Sequence, residues 1–300
     1  MKHTLKITLI LVFTFLISQI IGLAVTNSYI DHEASKETGE VSWGSLPYDI
    51  ARPEVEESSS FIYILAAILL GTLLVFLIMK FGKVMWWKIW FFLAISITLV
   101  VAFNSFMPAL LAAILAVILA GYKIFKPNIY VQNITELFIY GGLAAIFVPI
   151  INLFSVFMLL LLISAYDIIA VWKSKHMVSL AKFQTKSKVF AGLMIPYGLP
   201  GKKPKKGAKV KKVPMKTAIL GGGDIGFPLI FAGVVLKNLI LTNPIWLSFL
   251  KVLIITLFTS LALLYLLVKS QKNKFYPAMP YISAGCLIGY LVLLLVNLYI

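Results

Sequence analysis

The chain has 300 residues, of which 61% are hydrophobic, and its mean hydropathy is +0.98. These values lie far above those of a soluble domain and indicate a polytopic membrane protein. The formal net charge of +16 is unevenly distributed along the chain. The single cysteine, Cys286, excludes an intramolecular disulfide framework and a cysteine-based metal site. We expect no metal site and no cofactor.

Nine apolar segments approach the length of about 20 residues that a transmembrane helix needs. They cover residues 5–25, 61–79, 89–105, 107–122, 134–151, 153–172, 217–241, 245–268 and 281–300, and the fourth is the shortest. Turn-forming residues separate several of them, including Asn104, Ser105 and Pro108, then Asn152, and later Asn243 with Pro244. The sequence therefore predicts an all-α membrane protein with nine transmembrane helices.

The predicted organisation is one integrated membrane domain. It comprises a six-helix region over 1–172, a basic loop over 173–216 and a three-helix region over 217–300. The first segment could also be a cleaved signal peptide, since Lys2 and Lys6 flank the start of its apolar run. The run exceeds the usual signal core of about 7 to 15 residues, and no clear small-x-small cleavage site follows. We therefore expect a first transmembrane helix.

Acidic and basic residues lie at alternate ends of the apolar segments. Most acids fall in a loop over residues 26–60, which is expected to be solvated: Asp31, Glu33, Glu37, Glu40, Asp49, Glu54, Glu56 and Glu57. Lysines gather near residues 2–6, 80–88, 123–126, 173–216 and 269–274. By the positive-inside rule, the N-terminus and the basic loop are cytoplasmic, whereas the acidic loop and the C-terminus are outside.

The stretch from Lys202 to Lys216 is dense enough in lysine to raise the possibility of nucleic-acid binding. It contains no interleaved aromatic residues and is tethered between two spans, so attraction to anionic lipid headgroups explains it better. Its prolines and glycines predict a loosely ordered linker. The expected environment is therefore a bilayer with anionic headgroups, with no nucleic-acid partner.

Two acids lie inside apolar segments. They are Asp167 and Asp224, which with Glu136 are the acidic residues beyond residue 60. An Asp at the centre of a membrane helix costs roughly 2.5 to 3.5 kcal/mol on the insertion scale, so such residues usually have a function. At 1.5 Å per residue, Asp167 and Asp224 lie roughly 8 and 11 Å below the cytoplasmic surface. Adjacent antiparallel helices would place them face to face.

Two neighbouring carboxyl groups share a single proton near neutral pH. The ionised group can take a proton from a water that attacks an amide carbonyl, while the protonated group hydrogen-bonds the carbonyl oxygen. The alternative is a proton-coupled transporter that uses the two aspartates as a proton relay. Lys237 and Lys251 are expected to extend toward the outer face instead of pairing with either aspartate.

Glycine and proline surround Asp224. Gly221, Gly222 and Gly223, within the predicted helix, let another backbone or a substrate approach closely, although such glycines more often serve helix packing. Pro228 removes a backbone hydrogen bond one turn later. The helix beside Asp224 is therefore expected to be irregular.

Three motifs together resemble those of presenilin and signal peptide peptidase, the GxGD intramembrane aspartyl proteases. Tyr166-Asp167 resembles the YD motif, Gly221-Gly222-Gly223-Asp224 resembles GxGD, and Pro277-Ala278-Met279-Pro280 resembles PAL. Order, helix number and spacing agree over essentially the whole chain, which resembles an archaeal-type homologue of this family. Met279 replaces the usual Leu, and Gly222 stands at the free position of GxGD.

The resemblance implies that Asp167 and Asp224 form the catalytic dyad, with Tyr166 beside it. Pro277 to Pro280 would shape the site. The implied substrates are transmembrane peptides or proteins, cut within or at the cytoplasmic end of their helices by a multi-pass protein of the cell membrane. Such substrates must be unwound locally, because helical peptide bonds are shielded.

Strand pairing would stabilise an unwound substrate. The segments Val189 to Tyr197 and Val213 to Leu220 resemble the presenilin segments implicated in such pairing. The two branches of the family are oppositely oriented in the membrane, and the lysines favour the presenilin orientation. Ile225 and Pro228 look more like the signal peptide peptidase branch. Association of identical chains is compatible with the sequence.

Overall fold

The computed structural model describes residues 4–82, 84–174, 180, 183, 184, 187, 189–197, 216–271 and 275–299. Most of the predicted linker, residues 198–215, lies outside this description, so its loose order stays a prediction. The N-terminal part of the predicted pairing segment 213–220 lies outside it as well. The described residues are mostly helical.

The apolar segments form long helices. The bounds of the described α-helices are α1 Leu5–Ser28, α2 His32–Thr38, α3 Ser60–Phe81, α4 Val84–Asn104, α5 Ala109–Phe125, α6 Ile129–Phe147, α7 Leu153–Ile168, α8 Gly222–Ile240, α9 Ile245–Lys269 and α10 Met279–Tyr299. A 3₁₀ turn at Val148–Ile150 follows α6, and a π-helical turn at Ile169–Lys173 continues α7. A further 3₁₀ turn lies at Pro47–Asp49.

Local residues set several helix starts. The Asn128 side chain accepts a hydrogen bond from the N–H of Tyr130 at 2.8 Å, and Asn152 accepts one from Ser155 at 2.8 Å. These bonds satisfy backbone donors that the first turns of α6 and α7 leave unpaired. Pro108 and Pro244 occupy the same capping position before α5 and α9. The predicted breaks at Asn152, Pro108 and Pro244 are thus helix starts.

Eight helices in the described residues are long and apolar enough to cross a membrane, counting the turns that extend α6 and α7. Helix α5 is apolar but has 17 residues, in agreement with the expectation that the fourth segment is the shortest. Nine crossings and the orientation of the termini therefore stay predictions.

The membrane-spanning part is all-helical, as predicted, and two small antiparallel sheets that the prediction did not include accompany the helices. Strand β1 (Ile30–Asp31) pairs with β2 (Ser42–Trp43), and β3 (Gly192–Tyr197) pairs with β4 (Lys216–Gly221). The first sheet and α2 give structure to the acidic loop, whose residues Tyr29, Ile30 and Leu46 are buried. That loop is therefore only partly solvated.

The predicted helix over residues 217–241 begins late. Residues up to Gly221 form β4, and the helix starts at Gly222. The register pairs Gly192 with Gly221, Met194 with Ile219 and Pro196 with Thr217. A short apolar run is compatible with a buried strand and with a helix, so hydropathy could not distinguish β4 from the start of α8.

Helix α8 lies at the centre of the helical assembly and contacts α1, α6, α7, α9 and α10. Its Ile225, Leu229 and Phe231 are fully buried. Small residues bring neighbouring helices close together: a Cβ on Gly142 of α6 would lie 1.9 Å from the Thr98 carbonyl oxygen of α4. This packing holds the helices around the first turn of α8 in place.

Candidate active site

Asp167 lies in the last turn of α7 and is only 6% exposed. Its Oδ2 accepts a hydrogen bond from the N–H of Met279 at 3.0 Å, and the N–H of Ala278 is a second backbone donor beside the carboxyl group. Backbone donors cannot rotate away as side chains can. The Asp167 carboxyl group is therefore held in one orientation by residues 112 positions later in the chain.

The PAL-like motif supplies these donors because of where α10 begins. Pro277 and Ala278 precede the helix, which starts at Met279 and Pro280. The first N–H groups of a helix have no partner within it, so the Met279 N–H is free to bond Asp167. A hydrogen bond of 2.8 Å between the Ser164 and Ser283 hydroxyls ties α7 to α10 about one turn from Asp167 and from Met279.

Asp224 lies in the first turn of α8 and is partly buried. Its Oδ2 is 3.3 Å from the position that a Cβ on Gly221 would take, and the Gly221 backbone also interacts with the carboxyl group. The Asp167 carboxyl group lies within electrostatic range of Asp224. The fold thus brings together two acids that are 57 positions apart, along with the PAL-like motif.

All three glycines before Asp224 were expected to lie within a helix, but only two of them do. Gly221 ends β4 with extended backbone (φ −67°, ψ 151°), and Gly222 and Gly223 begin α8. The change from strand to helix therefore occurs directly before Asp224. Tyr166 precedes Asp167 on α7 and is half-buried. Its role stays a prediction.

A β-hairpin leads into this turn, and α6 holds one side of it. The Gln132 side chain donates to the carbonyls of Phe190 and Gly192 at 2.9 and 2.8 Å. Asn133 donates to the Met194 carbonyl at 2.8 Å and accepts from its N–H at 2.9 Å. The outer edge of β3 is thereby occupied by α6.

The opposite edge of the hairpin belongs to β4. Met194 and Ile219 face each other, and the Met194 backbone bonds Asn133, so this pair is not hydrogen-bonded across the hairpin. The N–H and C=O of Ile219 therefore point away from β3. No hydrogen bond to them is found among the described residues.

A buried ionic cluster beside the site is absent from the sequence-based prediction. Lys123 and Glu136 form an ion pair at the junction of α5 and α6, and Tyr140 donates its hydroxyl to Glu136. The signal was present: Gln132, Glu136 and Tyr140 recur at a spacing of four residues in an otherwise apolar segment. Lys123, counted among the cytoplasmic lysines, is neutralised by this pair.

The two lysines that were expected to avoid the aspartates do so in the described residues. The Lys237 Nζ lies 3.3 Å from Glu57, a residue of the acidic loop. Lys251 donates to the Asn243 side chain at 2.8 Å. Within the same described residues, no three His, Cys, Asp or Glu side chains are grouped so that they could hold a metal ion.

Known proteins of one family are similar to this chain. The family model described as signal-peptide peptidase, presenilin aspartyl protease matches residues 12–298. No curated protein sequence is significantly similar to the chain.

Two solved structures of a presenilin family intramembrane aspartate protease, in space groups C222 and P2, share the fold. Each has a TM-score of 0.61 and 18% identity to this chain. The first likeness covers 95% of this chain and 97% of the other, and the second covers 98% of both. The chain therefore belongs to the signal-peptide peptidase, presenilin aspartyl protease family and is a multi-pass membrane protein.

Proposed function

We propose that the chain hydrolyses peptide bonds within or at the cytoplasmic end of transmembrane helices, with Asp167 and Asp224 as a GxGD-type catalytic dyad. The observation that carries this proposal is the meeting of the two acids at neighbouring ends of α7 and α8. Uncompensated carboxyl groups at such positions are costly and mark functional sites. Membership of an aspartyl protease family agrees with the proposal.

The dyad acts through one shared proton. The ionised carboxylate takes a proton from water, and the water oxygen forms a bond to the peptide carbonyl carbon. The protonated partner hydrogen-bonds the carbonyl oxygen as that oxygen gains charge. When the C–N bond breaks, the leaving nitrogen takes up the proton that the carboxylate accepted from water, so a carboxylic acid and an amine are released and the dyad again holds one proton.

The surrounding backbone prepares Asp167 and Asp224 for this role. The Met279 N–H fixes the Asp167 carboxyl group, and the absence of a side chain on Gly221 leaves room beside the Asp224 oxygens. Groups that are oriented before the substrate arrives need no reorganisation during the reaction. The PAL-like motif therefore acts as a support for the dyad.

Strand β4 offers a place for an unwound substrate. Its free edge at Ile219 leads along the chain to Gly221 and then to Asp224. An extended substrate segment that pairs with this edge gains backbone hydrogen bonds in place of those lost from its helix. The scissile bond is thereby brought beside the dyad.

With nine crossings, the lysine distribution favours a cytoplasmic N-terminus, an external C-terminus and a dyad near the cytoplasmic face. Apart from Lys123, which is buried and paired with Glu136, lysines of these clusters would be attracted to anionic lipid headgroups. This orientation supports cleavage of single-span helices near their cytoplasmic ends, by a protein of the cell membrane.

The test uses the purified full chain in detergent and a transmembrane peptide substrate. Cleavage is expected to disappear in both Asp167→Ala and Asp224→Ala and to be inhibited by a peptide isostere that carries a hydroxyl group. Glu54→Ala, an exposed acid in the loop over 26–60, is the matched control and should cleave normally. Cleavage that persists in either dyad variant would contradict the assignment.

A second readout separates the protease from the proton-coupled transporter. The same protein in sealed vesicles should show no solute uptake driven by a proton gradient. Uptake that depends on Asp167 and Asp224, without any proteolysis, would favour the transporter instead.

A further inference from the structure

The ionic cluster at the junction of α5 and α6 has no part in the dyad chemistry described above. Glu136 is 1% exposed and Lys123 is 3% exposed. Lys123 Nζ and Gln132 Nε2 both donate to Glu136 Oε1, the latter at 3.0 Å. The Tyr140 hydroxyl donates to Oε2. Both carboxylate oxygens of Glu136 are thus hydrogen-bonded.

Tyr140 connects this cluster to α8. A Cβ on Gly222 would lie 2.6 Å from the Tyr140 hydroxyl oxygen, whereas ordinary van der Waals contact begins at 3.4 Å. One turn later, a Cβ on Gly226 would lie 3.5 Å from Cδ1 of the same ring. The ring cannot swing away from position 222 without losing the hydrogen bond to Glu136.

The other side of the cluster reaches the hairpin. Gln132, which bonds Glu136, also donates to the Gly192 carbonyl at 2.8 Å. Gly192 faces Gly221, the last residue of β4. Helix α6 therefore contacts the strand before Asp224 through Gln132 and the helix start beside it through Tyr140.

A purely structural role would not account for this placement. Buried ion pairs are weak sources of stability, because well-packed apolar residues of similar volume often do as well or better. Here the hydroxyl at the end of the cluster lies against the free position of GxGD and within electrostatic range of Asp224. Small displacements of a catalytic group reduce rates strongly.

We propose that Tyr140 is a positioning residue for Asp224, and that its hydroxyl, held by Glu136, requires glycine at position 222. The proposal rests on the proposed function of Asp224. It makes residues 140 and 222 a matched pair: a larger residue at one position needs a smaller residue at the other.

The test is a double-mutant cycle on the purified full chain, with kcat, KM and thermal unfolding measured in detergent. Gly222→Ala should lower kcat by about tenfold to a hundredfold with little change in KM, because the new methyl group displaces the turn that carries Asp224. Tyr140→Phe should have a smaller effect. The double variant Tyr140→Phe/Gly222→Ala should recover most of the lost kcat, since the oxygen at 2.6 Å is gone and the ring atoms at 3.2 and 3.3 Å, no longer held by Glu136, can shift by the few tenths of an ångström needed.

Gly226→Ala is the matched control, because its methyl group meets the same ring at an ordinary distance. It should retain the kcat of the unchanged chain. If Gly222→Ala lowers the unfolding temperature as well as kcat, the double variant Tyr140→Phe/Gly222→Ala should restore both.

A double variant no better than Gly222→Ala, or a fully active Gly222→Ala, would overturn the role of Tyr140. An unchanged chain that cleaves no transmembrane peptide would overturn the proposed function itself, so the two failures are distinguishable.

Discussion

The two ends of α8 each lie beside a buried lysine, but the acids that pair with these lysines differ in their exposure to solvent. Near the C-terminal end, Lys237 pairs with Glu57, whose side chain is 50% exposed. Near the N-terminal end, the side chains of Lys123 and Glu136 are 2% and 1% exposed, and their cluster contacts α8 through Tyr140. The N-terminal end also carries Asp224. At the dyad end both partners of the ion pair are therefore enclosed, whereas at the other end Lys237 is buried and its partner Glu57 is half-exposed.

The largest expected effect is on the cleavage rate, which a substitution at the N-terminal end of α8 should lower and one at the C-terminal end should not. Asp224→Asn keeps the size of the side chain but cannot ionise, so cleavage should fall by about 10²-fold to 10⁴-fold. Lys237→Met keeps most of the apolar stem and leaves Glu57 hydrated, so cleavage should stay near that of the unchanged chain. Initial rates on a transmembrane peptide measure both. Equal losses in the two variants would remove the distinction between the ends.

The two ion pairs are also expected to differ in how much their acids contribute to the free energy of unfolding. Glu136→Ala leaves Lys123 charged and enclosed, so the free energy of unfolding should fall by about 3–5 kcal/mol. Glu57→Ala, at the half-exposed pair, should lower it by about 0–1 kcal/mol. Unfolding in mixed micelles with increasing dodecyl sulfate measures both values.

The matched control for that comparison removes both charges together. Lys123→Met/Glu136→Leu should be more stable than Glu136→Ala, because no unpaired charge remains. If it is no more stable, the loss in Glu136→Ala reflects packing and not charge.

The smallest expected effect concerns the backbone beside Asp224. Ile219→Pro removes the N–H that points away from β3 and leaves the hairpin ladder intact. Cleavage of a transmembrane substrate should fall about threefold to tenfold, the contribution of one backbone hydrogen bond. Ile219→Ala keeps the N–H and should be less affected. A larger loss in Ile219→Ala would contradict substrate pairing at this edge.

Much of the architecture was predictable because apolar length and turn residues are local properties. The starts of α7 and α9, after Asn152 and Pro244, follow directly from capping and breaking residues. Other boundaries were less accurate: α6 begins at Ile129, earlier than the predicted residue 134. Its first turns contain polar side chains that hydropathy assigns to a loop, but Gln132 is satisfied there by hydrogen bonds to Glu136 and to the Gly192 carbonyl of β3.

The candidate site divides in the same way. Asp167 and Asp224 could be selected from sequence because an acid in an apolar segment is anomalous wherever the segment lies. Lys123 could not, because a lysine at a helix end is ordinary until its neighbours are known. Tyr140 shares a four-residue spacing with Gln132 and Glu136, but that spacing alone does not place it against Gly222.

The sequence by itself determined a membrane protein with two acids in its apolar segments, since hydropathy and the cost of charge depend on residue type alone. The tertiary structure decided that residues 216–221 are a strand, that Met279 orients Asp167 and that Tyr140 lies against Gly222. These outcomes depend on which distant segments pack against each other, because strand pairing and close steric contacts form only between segments that are in contact.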